Sequence, residues 1–430
     1  MKGIEGNGLG MQKDTSNLFR NRTEATKPRI DLRHFNDVLR VDPQEGWVEV
    51  EGMTTYADLV EETLKSGTMP CVVPQLKSIT IGGAVSGLGI ESSSFRHGLV
   101  HETILEMDVL LASGEVVTCS PGGEHRDLFY GLPNSYGTLG YILKLKARTM
   151  PVTGYVRLQH HKYTEPSRFL ADLEMKCNSD ADFVDGVIFG PAEFYVTEAH
   201  HVANAPATSD YTWQNIYYRS IQNRQEDFLT THDYIWRWDT DWFWCSRNFA
   251  LQNPLLRRLV GRRRLNSVTY TKIMRWNSKH DLMKRLNKIQ GLHSESVIQD
   301  ICIPIQHAGE YLQFMIDEIG IFPIWTCPAR HVNTAVPTPL FPMNDGVLYI
   351  DFGFWDSIKG RTEYEPGHFN KLIEQKTHEL KGAKSLYSES YYDRDQFWSI
   401  YNEQQYRALK RKYDPKGQFK DLYEKCVLGA

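Results

Sequence analysis

Four glycines fall within eight residues of the chain, at Gly82, Gly83, Gly87 and Gly89. A pyrophosphate binds well where backbone N–H groups come within hydrogen-bonding distance, and side chains would block that approach. Glycine-rich turns that open into a helix or coil supply such donors. The spacing matches neither GxGxxG nor GxxxxGKS/T, so we expect neither a Rossmann fingerprint nor a P-loop. The stretch predicts a site for a phosphate-containing ligand, with a tight loop between strands as the alternative.

A second glycine-rich turn closes the segment Asp127–Tyr141, which ends Gly-Thr-Leu-Gly-Tyr. A predicted strand hairpin that ends at Pro121 separates the two turns. This combination resembles the second FAD-binding subdomain of the vanillyl-alcohol-oxidase superfamily, also called the PCMH type. In that superfamily the first turn runs along the flavin and the pyrophosphate, and the second lies by the adenine end. The resemblance implies FAD contacts from Thr80, Ile81, Gly82, Gly83, Ser86, Gly87, Gly89, Ile90, Glu91, Ser92, Ser93, His97, Gly137, Thr138, Gly140, Tyr141 and Ile142.

Motifs along the rest of the chain narrow the resemblance. They are Gly89–Ser94, Gly98-Leu99, Asp127–Tyr130, Asp233–Trp244, Asn253–Leu256, Phe322–Pro328, Leu348–Gly353 and Tyr391–Trp398. Together they resemble the delta-24 sterol reductase family over nearly the whole chain from about Asp31 onward. We expect the membrane anchor of the eukaryotic members, and much of the usual first FAD subdomain, to be missing. The hydroxyls and amide of Thr15, Ser16 and Asn17 suit phosphate, so this segment is predicted to replace that subdomain's pyrophosphate loop; a plain N-terminal arm is the alternative.

The resemblance implies reduction of an isolated C=C bond, with hydride from flavin N5 reaching one carbon and a proton reaching the other. NADPH would reduce the flavin, and without a separate Rossmann domain it would bind at the flavin face in turn with the substrate. An isolated alkene is poorly electrophilic, so the acid matters. In this superfamily the C-terminal segment approaches the isoalloxazine, which makes Tyr391 and Tyr392 candidate proton donors and Arg394 a candidate partner of flavin N1. Glu91 is a further candidate acid; for each residue, an ordinary structural contact is the alternative.

Covalent attachment of FAD and metal binding are not expected. Some members of the superfamily link FAD through His or Cys, and His97 lies in the corresponding region, but a surface or supporting role is the favoured interpretation. We therefore expect noncovalent FAD. The adjacent pairs His160-His161 and His200-His201 would point to opposite faces of a strand and chelate poorly.

The elements that must position these residues are short strands alternating with helices. Trp47–Glu51 alternates like a half-buried strand, and a helix to Lys65 follows with Thr54 as the predicted N-cap. Leu139–Ala147 is predicted to be an edge or outer strand. The predicted fold class is α+β, with a two-subdomain PCMH-type FAD-binding domain at 1–150, an α+β substrate (cap) domain at 151–385, and a C-terminal segment at 386–430 that returns to the FAD domain.

Composition sets the remaining expectations. A 430-residue chain with 41% hydrophobic and 24% charged residues is ordinary for a globular protein of two or three domains, and a net charge of −4 argues against general nucleic-acid binding. The seven cysteines form no CxxC pair, which favours a reducing compartment. Met1–Asn17 has no signal-peptide core, and no apolar run is long enough to span a bilayer. We expect a cytoplasmic protein; its oligomeric state is left open.

Two further segments carry open alternatives. The aromatic stretch 211–249 is interpreted either as core packing or as the lining of a pocket for a large apolar ligand. Leu255–Leu265 is predicted to be an amphipathic helix with five arginines, either a solvated face or a patch that contacts anionic lipids or phosphate. The predicted substrate is a hydrophobic sterol or isoprenoid. An FAD-dependent oxidase or dehydrogenase of an alcohol, sugar or lipid-linked sugar is the alternative function, and a noncatalytic flavin-binding protein is a third.

Overall fold

A computed structural model of the chain describes residues 9–20, 29–280, 291–332 and 338–429. The first eight residues of the polar N-terminal stretch therefore lie outside the described part. Two large antiparallel sheets with flanking helices confirm the predicted α+β class. None of the described helices is long and apolar enough to cross a membrane.

The first large sheet is built from residues 38–151, and a small parallel pair of strands precedes it. The pair is β1 (Gly10–Gln12) and β2 (Arg29–Asp31), and the sheet contains β3 (Val38–Asp42), β4 (Trp47–Glu51), β5 (Thr68–Pro70), β6 (Ile104–Leu110), β7 (Val116–Cys119) and β8 (Tyr141–Pro151). The sheet order is β3-β4-β8-β6-β7, with β5 paired to the end of β8. The expectation that Leu139–Ala147 forms an edge strand was wrong, because β8 lies between β4 and β6 and pairs with both.

The second large sheet has eight antiparallel strands in the order β12-β9-β11-β10-β14-β15-β13-β16. The strands are β9 (Tyr155–Tyr163), β10 (Phe183–Gly190), β11 (Glu193–Val202), β12 (Glu226–Thr230), β13 (His293–Pro304), β14 (Ile324–Arg330), β15 (Leu348–Gly360) and β16 (Ala383–Lys384). Side chains alternate between its two faces, as the strand geometry requires. On β13, Val297, Ile301 and Ile303 are fully buried beneath helices on one face, which leaves Asp300 and Cys302 to face the other way, towards the first sheet.

The helices pack on both units and connect them. They are α1 (Tyr56–Lys65), α2 (Ile81–Gly87), α3 (Ser94–His97), α4 (Arg126–Gly131), α5 (Pro166–Cys177), α6 (Tyr217–Ile221), α7 (Thr231–Ile235), α8 (Pro254–Val260), α9 (Ser267–His280), α10 (Ile305–Phe314), α11 (His368–Glu379), α12 (Arg394–Ile400), α13 (Glu403–Tyr413) and α14 (Leu422–Cys426). The cap of α1 is Thr55, which accepts from the amide of Asp58, rather than the predicted Thr54.

The C-terminal helices pack against the first unit. On α13, Lys412 and the hydroxyl of Tyr413 both bind the carboxylate of Asp127, at 2.8 and 2.6 Å. The N-terminal segment also binds the C-terminal region, because the amide of Leu9 donates to the carbonyl of Gln418 at 2.8 Å. The chain end and the N-terminal segment are thus held together beside the first sheet, where both contribute to one cavity.

Candidate cofactor-binding and active site

A cavity of about 470 Å³ lies where four parts of the chain meet. One wall is the N-terminal segment 9–20 with Arg29, and a second is the loop and helix from Pro74 to Ile90 with Tyr136 to Ile142. A third wall is formed by the eight-stranded sheet, the connection between β12 and β13, and the residue Tyr387 after β16. Two lysines of the C-terminal region complete the lining. The residues of the third wall and the C-terminal region that line the cavity are Trp242, Phe243, Asp300, Trp325, Trp355, Tyr387, Lys420 and Lys425.

The glycines of the first turn let α2 pack closely enough to form the cavity wall. A Cβ atom added at Gly82 would lie 2.7 Å from the carbonyl oxygen of Gly52, and one at Gly87 would lie 3.3 Å from the ring of Tyr136. The amide of Gly82 already donates to Gly52, and that of Gly83 to the Thr80 hydroxyl. These two amides therefore have partners within the protein, and both glycines allow close packing of the cavity wall.

Positive charge reaches the cavity from side chains. Those that line it are Lys13, Arg20, Arg29, Lys420 and Lys425. Arg20 is buried and held in place, since its guanidinium donates to the carbonyl of Leu386 at 2.7 Å and lies 4.9 Å from the centroid of the Tyr136 ring. These cations give the cavity the charge that a pyrophosphate requires.

The predicted N-terminal residues Thr15, Ser16 and Asn17 all line the cavity. Asn17 is tied to the first sheet unit, because its side-chain oxygen accepts from the Ser78 hydroxyl at 3.1 Å. The next residues bind the cap side, where the amide of Phe19 donates to the carbonyl of Tyr387 at 2.8 Å. The segment is therefore a built part of the site and not a loose arm, which supports the predicted role of these three residues.

An aromatic cluster forms the cap side of the cavity. The ring of Phe243 lies 4.5 Å from that of Trp355 and 5.1 Å from that of Trp325, centroid to centroid. Trp242 lies 5.8 Å from Phe19. The aromatic stretch 211–249 thus contributes both to a cavity wall and to the core. Trp242 and Phe243 line the cavity, while neighbours such as Trp238 are buried in the core.

Asp300 is the acidic residue at this aromatic wall. It lies directly opposite Gly353 in the pairing of β13 with β15, and a Cβ atom added at Gly353 would lie 2.9 Å from its Oδ1. The Tyr387 hydroxyl lies within hydrogen-bonding reach of the carboxyl. Because the Trp355 indole N–H donates to the same hydroxyl at 3.0 Å, the phenolic proton is left to point towards Asp300. Oδ1 of Asp300 is buried and has no hydrogen-bond partner in the described part of the chain.

The environment of Asp300 favours its neutral form. Burial raises the pKa of this carboxyl well above its usual range, and the nearby carboxylate of Asp351 raises it further, whereas Tyr387 acts in the opposite direction. Burial also raises the pKa of Asp351, whose Oδ1 accepts from the thiol of Cys302 at 3.3 Å. Two carboxyl groups that share a buried region hold protons to higher pH than either would in water. Burial and the second carboxyl therefore both favour the protonated form of Asp300.

Glu91 lies behind the cavity in a buried ion cluster. Arg237 Nη2 contacts Glu91 Oε1 at 2.8 Å and Asp185 Oδ2 at 3.0 Å, and all three side chains are buried. Each carboxylate also binds a residue of the cavity wall: Glu91 accepts from the Gln75 amide, and Asp185 accepts from the Trp325 indole at 3.2 Å. Arg237 thereby connects the two walls, and Glu91, a predicted candidate acid, lies outside the lining of the cavity.

The predicted FAD-contact residues divide into two groups. The following line the cavity, as expected: Thr80, Gly82, Gly83, Ser86, Gly87, Gly89, Ile90, Gly137, Gly140, Tyr141 and Ile142. The others support the wall from behind: Ile81 is in the core, Ser93 donates to the carbonyl of Cys71, and Ser92, Glu91, His97 and Thr138 also lie outside the lining. No His or Cys occurs among the described residues that line the cavity, and His97 lies outside that lining.

The three C-terminal candidates for catalysis lie away from the cavity. The Tyr391 hydroxyl donates to Glu389 at 2.9 Å and the Tyr392 side chain is buried beside Tyr401. Arg394 lies over the ring of Tyr423 at 5.0 Å. The physical reason is that Ser388 pairs with Phe19, so the cavity wall is formed by the residues just before the predicted ones. Tyr387 takes the place expected of Tyr391.

The sequence analysis missed Asp300, Tyr387 and the tryptophans of β14 and β15. A signal for Asp300 was present, because it stands between Ile298 and Cys302 on one face of a strand that is otherwise apolar there. A lone carboxyl on such a face is costly to bury as an ion and is often functional. Across the described residues, no group of three or more His, Cys, Asp or Glu side chains is arranged to hold a metal ion.

The lining fits FAD. A cationic region with hydroxyl groups suits the pyrophosphate, and the aromatic wall suits a flat ring system. Two buried polar atoms of lining residues, Oε1 of Gln75 and Oδ1 of Asp300, have no partner among the described residues and can bind polar edges of a ligand.

Comparison with known proteins agrees with this fit. An FAD-binding domain model matches residues 14–120. The Delta(24)-sterol reductase of Homo sapiens is 26% identical over 412 residues, which covers 92% of this chain and 77% of the human protein. The Delta(24)-sterol reductase of Arabidopsis thaliana is 24% identical over 93% of this chain and 76% of its own length. Cytokinin dehydrogenase 7 of Oryza sativa is 31% identical, but over only 33% of this chain and 28% of its own. The domain match and the similarity along the chain show an FAD-dependent oxidoreductase that is similar to the Delta(24)-sterol reductases over most of its length.

Proposed function

We propose that this protein reduces an isolated C=C bond of an apolar sterol-like or isoprenoid substrate, with NADPH as the source of electrons and noncovalently bound FAD. The observation that carries the proposal is the Asp300 carboxyl at the aromatic wall of the cofactor cavity, whose Oδ1 is buried without a partner among the described residues and whose pKa is raised by burial. Its Delta(24)-sterol reductase relatives support the same class of substrate.

The reaction requires a hydride at one alkene carbon and a proton at the other. FAD, when bound and reduced, supplies the hydride. An isolated alkene carries no carbonyl to stabilise charge, so protonation by a positioned acid is a large part of the barrier. Asp300 has the features of this acid: its pKa is raised, and its Oδ1 is buried and has no partner in the described structure.

Tyr387 and Asp351 act on different forms of Asp300. The Tyr387 hydroxyl accepts from the Trp355 indole at 3.0 Å, and its hydrogen bond with Asp300 favours the carboxylate by lowering the pKa. The Asp351 carboxyl opposes ionisation of Asp300 while the proton is held. After the proton leaves, the same Tyr387 donor stabilises the carboxylate that forms. Trp242, Phe243 and Trp325 exclude water and provide an apolar surface for the substrate.

An alcohol oxidase would place different demands on this wall. It requires a base close to the substrate carbinol, whereas burial raises the pKa of the carboxyl found here and so favours its acid form. Asp300 would have to ionise in an apolar region next to Asp351 before it could accept a proton. The wall is therefore better suited to donating a proton than to removing one.

The test is anaerobic reduction of the flavin-loaded protein, followed at the flavin absorbance band. We expect NADPH to bleach the band and a delta-24 sterol to restore it, with the saturated sterol found as product. Bleaching by an alcohol or sugar, with no bleaching by NADPH, would place the enzyme in the oxidase class and refute the proposal.

A further inference from the structure

The helix α8 has its apolar side turned outwards. At about 100° per residue, Leu255, Leu256 and Leu259 fall on one side of this helix, and Arg257 falls on the other. Leu255 is 71% exposed and Leu259 is 82% exposed, whereas Arg257 is fully buried. A surface helix of a globular protein normally shows the reverse arrangement. Because apolar side chains are exposed and the arginine is buried, the leucine side of α8 suits an apolar environment better than water.

The buried arginine fixes this orientation. The guanidinium of Arg257 donates to the carbonyl of Trp213 at 2.9 and 2.6 Å and to that of Leu251 at 3.0 Å. A cation satisfied by three hydrogen bonds is costly to release, so rolling the helix to hide its leucines is unfavourable. Asn253 caps the first turn by accepting from the amides of Leu255 and Leu256. The exposed leucines are therefore a stable feature of the fold.

Positive charge flanks the leucine side. Arg258 on the helix and Arg262, Arg263 and Arg264 in the turn that follows are all exposed. The helix ends at Val260, before Gly261, so the predicted single helix over Leu255–Leu265 is in fact this short helix and a separate arginine turn. Acidic charge near the turn comes from Asp233, whose pKa is lowered chiefly by a hydrogen bond with His232 and also by Arg262. A second carboxylate, Asp210, accepts from the Thr212 hydroxyl, to which Arg262 donates at 2.9 Å. The four exposed arginines outnumber these two carboxylates.

We propose that α8 and the arginine turn form a membrane-binding surface, with the leucines inserted among acyl chains and the arginines at anionic lipid headgroups. Leucines that lie in the interface while cations lie at headgroup level are the arrangement by which a protein rests on an anionic bilayer. A protein partner would need an acidic rim around an apolar groove, which is a more specific requirement than a bilayer imposes.

This surface is connected to the cavity by packed side chains. Gln252, just before α8, donates to the Tyr218 hydroxyl at 2.7 Å, and the Tyr218 ring lies 6.0 Å from that of Trp244. Trp244 in turn lies 6.0 Å from Trp355, which lines the cavity. An apolar substrate dissolved in the bilayer would therefore meet the protein on the side that carries the aromatic wall.

The experiment is flotation of the flavin-loaded protein with vesicles of phosphatidylcholine, with and without phosphatidylserine. We expect flotation with the anionic vesicles that falls by at least tenfold in the double variant Leu255→Glu, Leu259→Glu. Changing Arg262, Arg263 and Arg264 to Ala should weaken the affinity for anionic vesicles by about fivefold per arginine at low salt. The matched control is Leu39→Glu with Leu428→Glu, because both leucines are exposed elsewhere on the protein.

Three outcomes overturn the proposal. The first is that the protein does not float with anionic vesicles. The second is that the Leu255→Glu, Leu259→Glu variant floats as well as the control variant. The third is that sedimentation velocity shows a dimer that is lost in the Leu255→Glu, Leu259→Glu variant and kept in the control, which would assign the surface to a second copy of the chain. Flavin absorbance confirms that each variant is folded, and none of these outcomes depends on the proposed reaction.

Discussion

The ion cluster around Arg237 gives a prediction whose size follows from its geometry. Replacing Arg237 with Met removes the cation that lies 2.8 Å from Glu91 and 3.0 Å from Asp185, and it leaves two carboxylates in a buried region. Breaking a buried pair in this way costs about 3–5 kcal/mol, because an uncompensated charge remains. The matched control is Arg157→Met, since Arg157 forms an ion pair with Glu226 at the surface. Exposed pairs of that kind contribute about 1 kcal/mol or less.

Urea unfolding at several pH values measures the effect. Burial already raises the pKa of Asp185, and Arg237 opposes that rise, so removing Arg237 should raise this pKa further. The loss of stability then grows as pH rises from the unfolded pKa and is complete above the folded-state pKa. We expect the deficit of Arg237→Met to be smaller at pH 5 than at pH 8. Because Glu91 and Asp185 also bind Gln75 and Trp325, the variant should lose FAD affinity as well. A deficit no larger than that of Arg157→Met would refute this interpretation.

Three further predictions concern the cavity. Gly82→Ala places a Cβ atom 2.7 Å from the backbone oxygen of Gly52, and should cost about 1–3 kcal/mol and weaken FAD retention on dialysis. Gly353→Ala crowds both Trp355 and Asp300, at 2.7 and 2.9 Å, and should slow alkene reduction in steady-state assays far more than it lowers FAD affinity. Because burial raises the pKa of Asp300 and favours the acid form that donates the proton, the rate of alkene reduction should fall as pH rises through that pKa. A rate that increases over the alkaline range would contradict this last expectation.

The cofactor side of the site could be predicted from sequence because it depends on local patterns. Glycine spacing and strand alternation are visible over short stretches, and residues such as Gly87 and Tyr141 do line the cavity. The reason given for the glycines was only partly right. Whether an amide such as that of Gly82 is free depends on its contact with Gly52, thirty positions away in the chain, which no local pattern reveals.

The catalytic side could not be read in the same way, because it depends on long-range pairing. Asp300 faces the cavity only through the register of β13 with β15, which sets it opposite Gly353. The C-terminal segment was recognised as important, but the pairing of Ser388 with Phe19 brings Tyr387 to the cavity in place of Tyr391. Tyr387 and Tyr391 are only four residues apart in an irregular segment. The sequence motif alone therefore does not show which of the two tyrosines reaches the cavity.

The most direct test of the central claim is the rate at which a delta-24 sterol restores the flavin absorbance of NADPH-reduced Asp300→Asn under anaerobic conditions. Tyr391→Phe is the control, because Tyr391 lies outside the cavity. We predict that both variants are reduced by NADPH at rates close to that of the unchanged protein. Restoration by the sterol should then slow by about 10²–10⁴-fold in Asp300→Asn alone, which is the usual contribution of a general acid. Restoration at the original rate in Asp300→Asn, or its loss in Tyr391→Phe, would contradict the assignment of Asp300 as the proton donor.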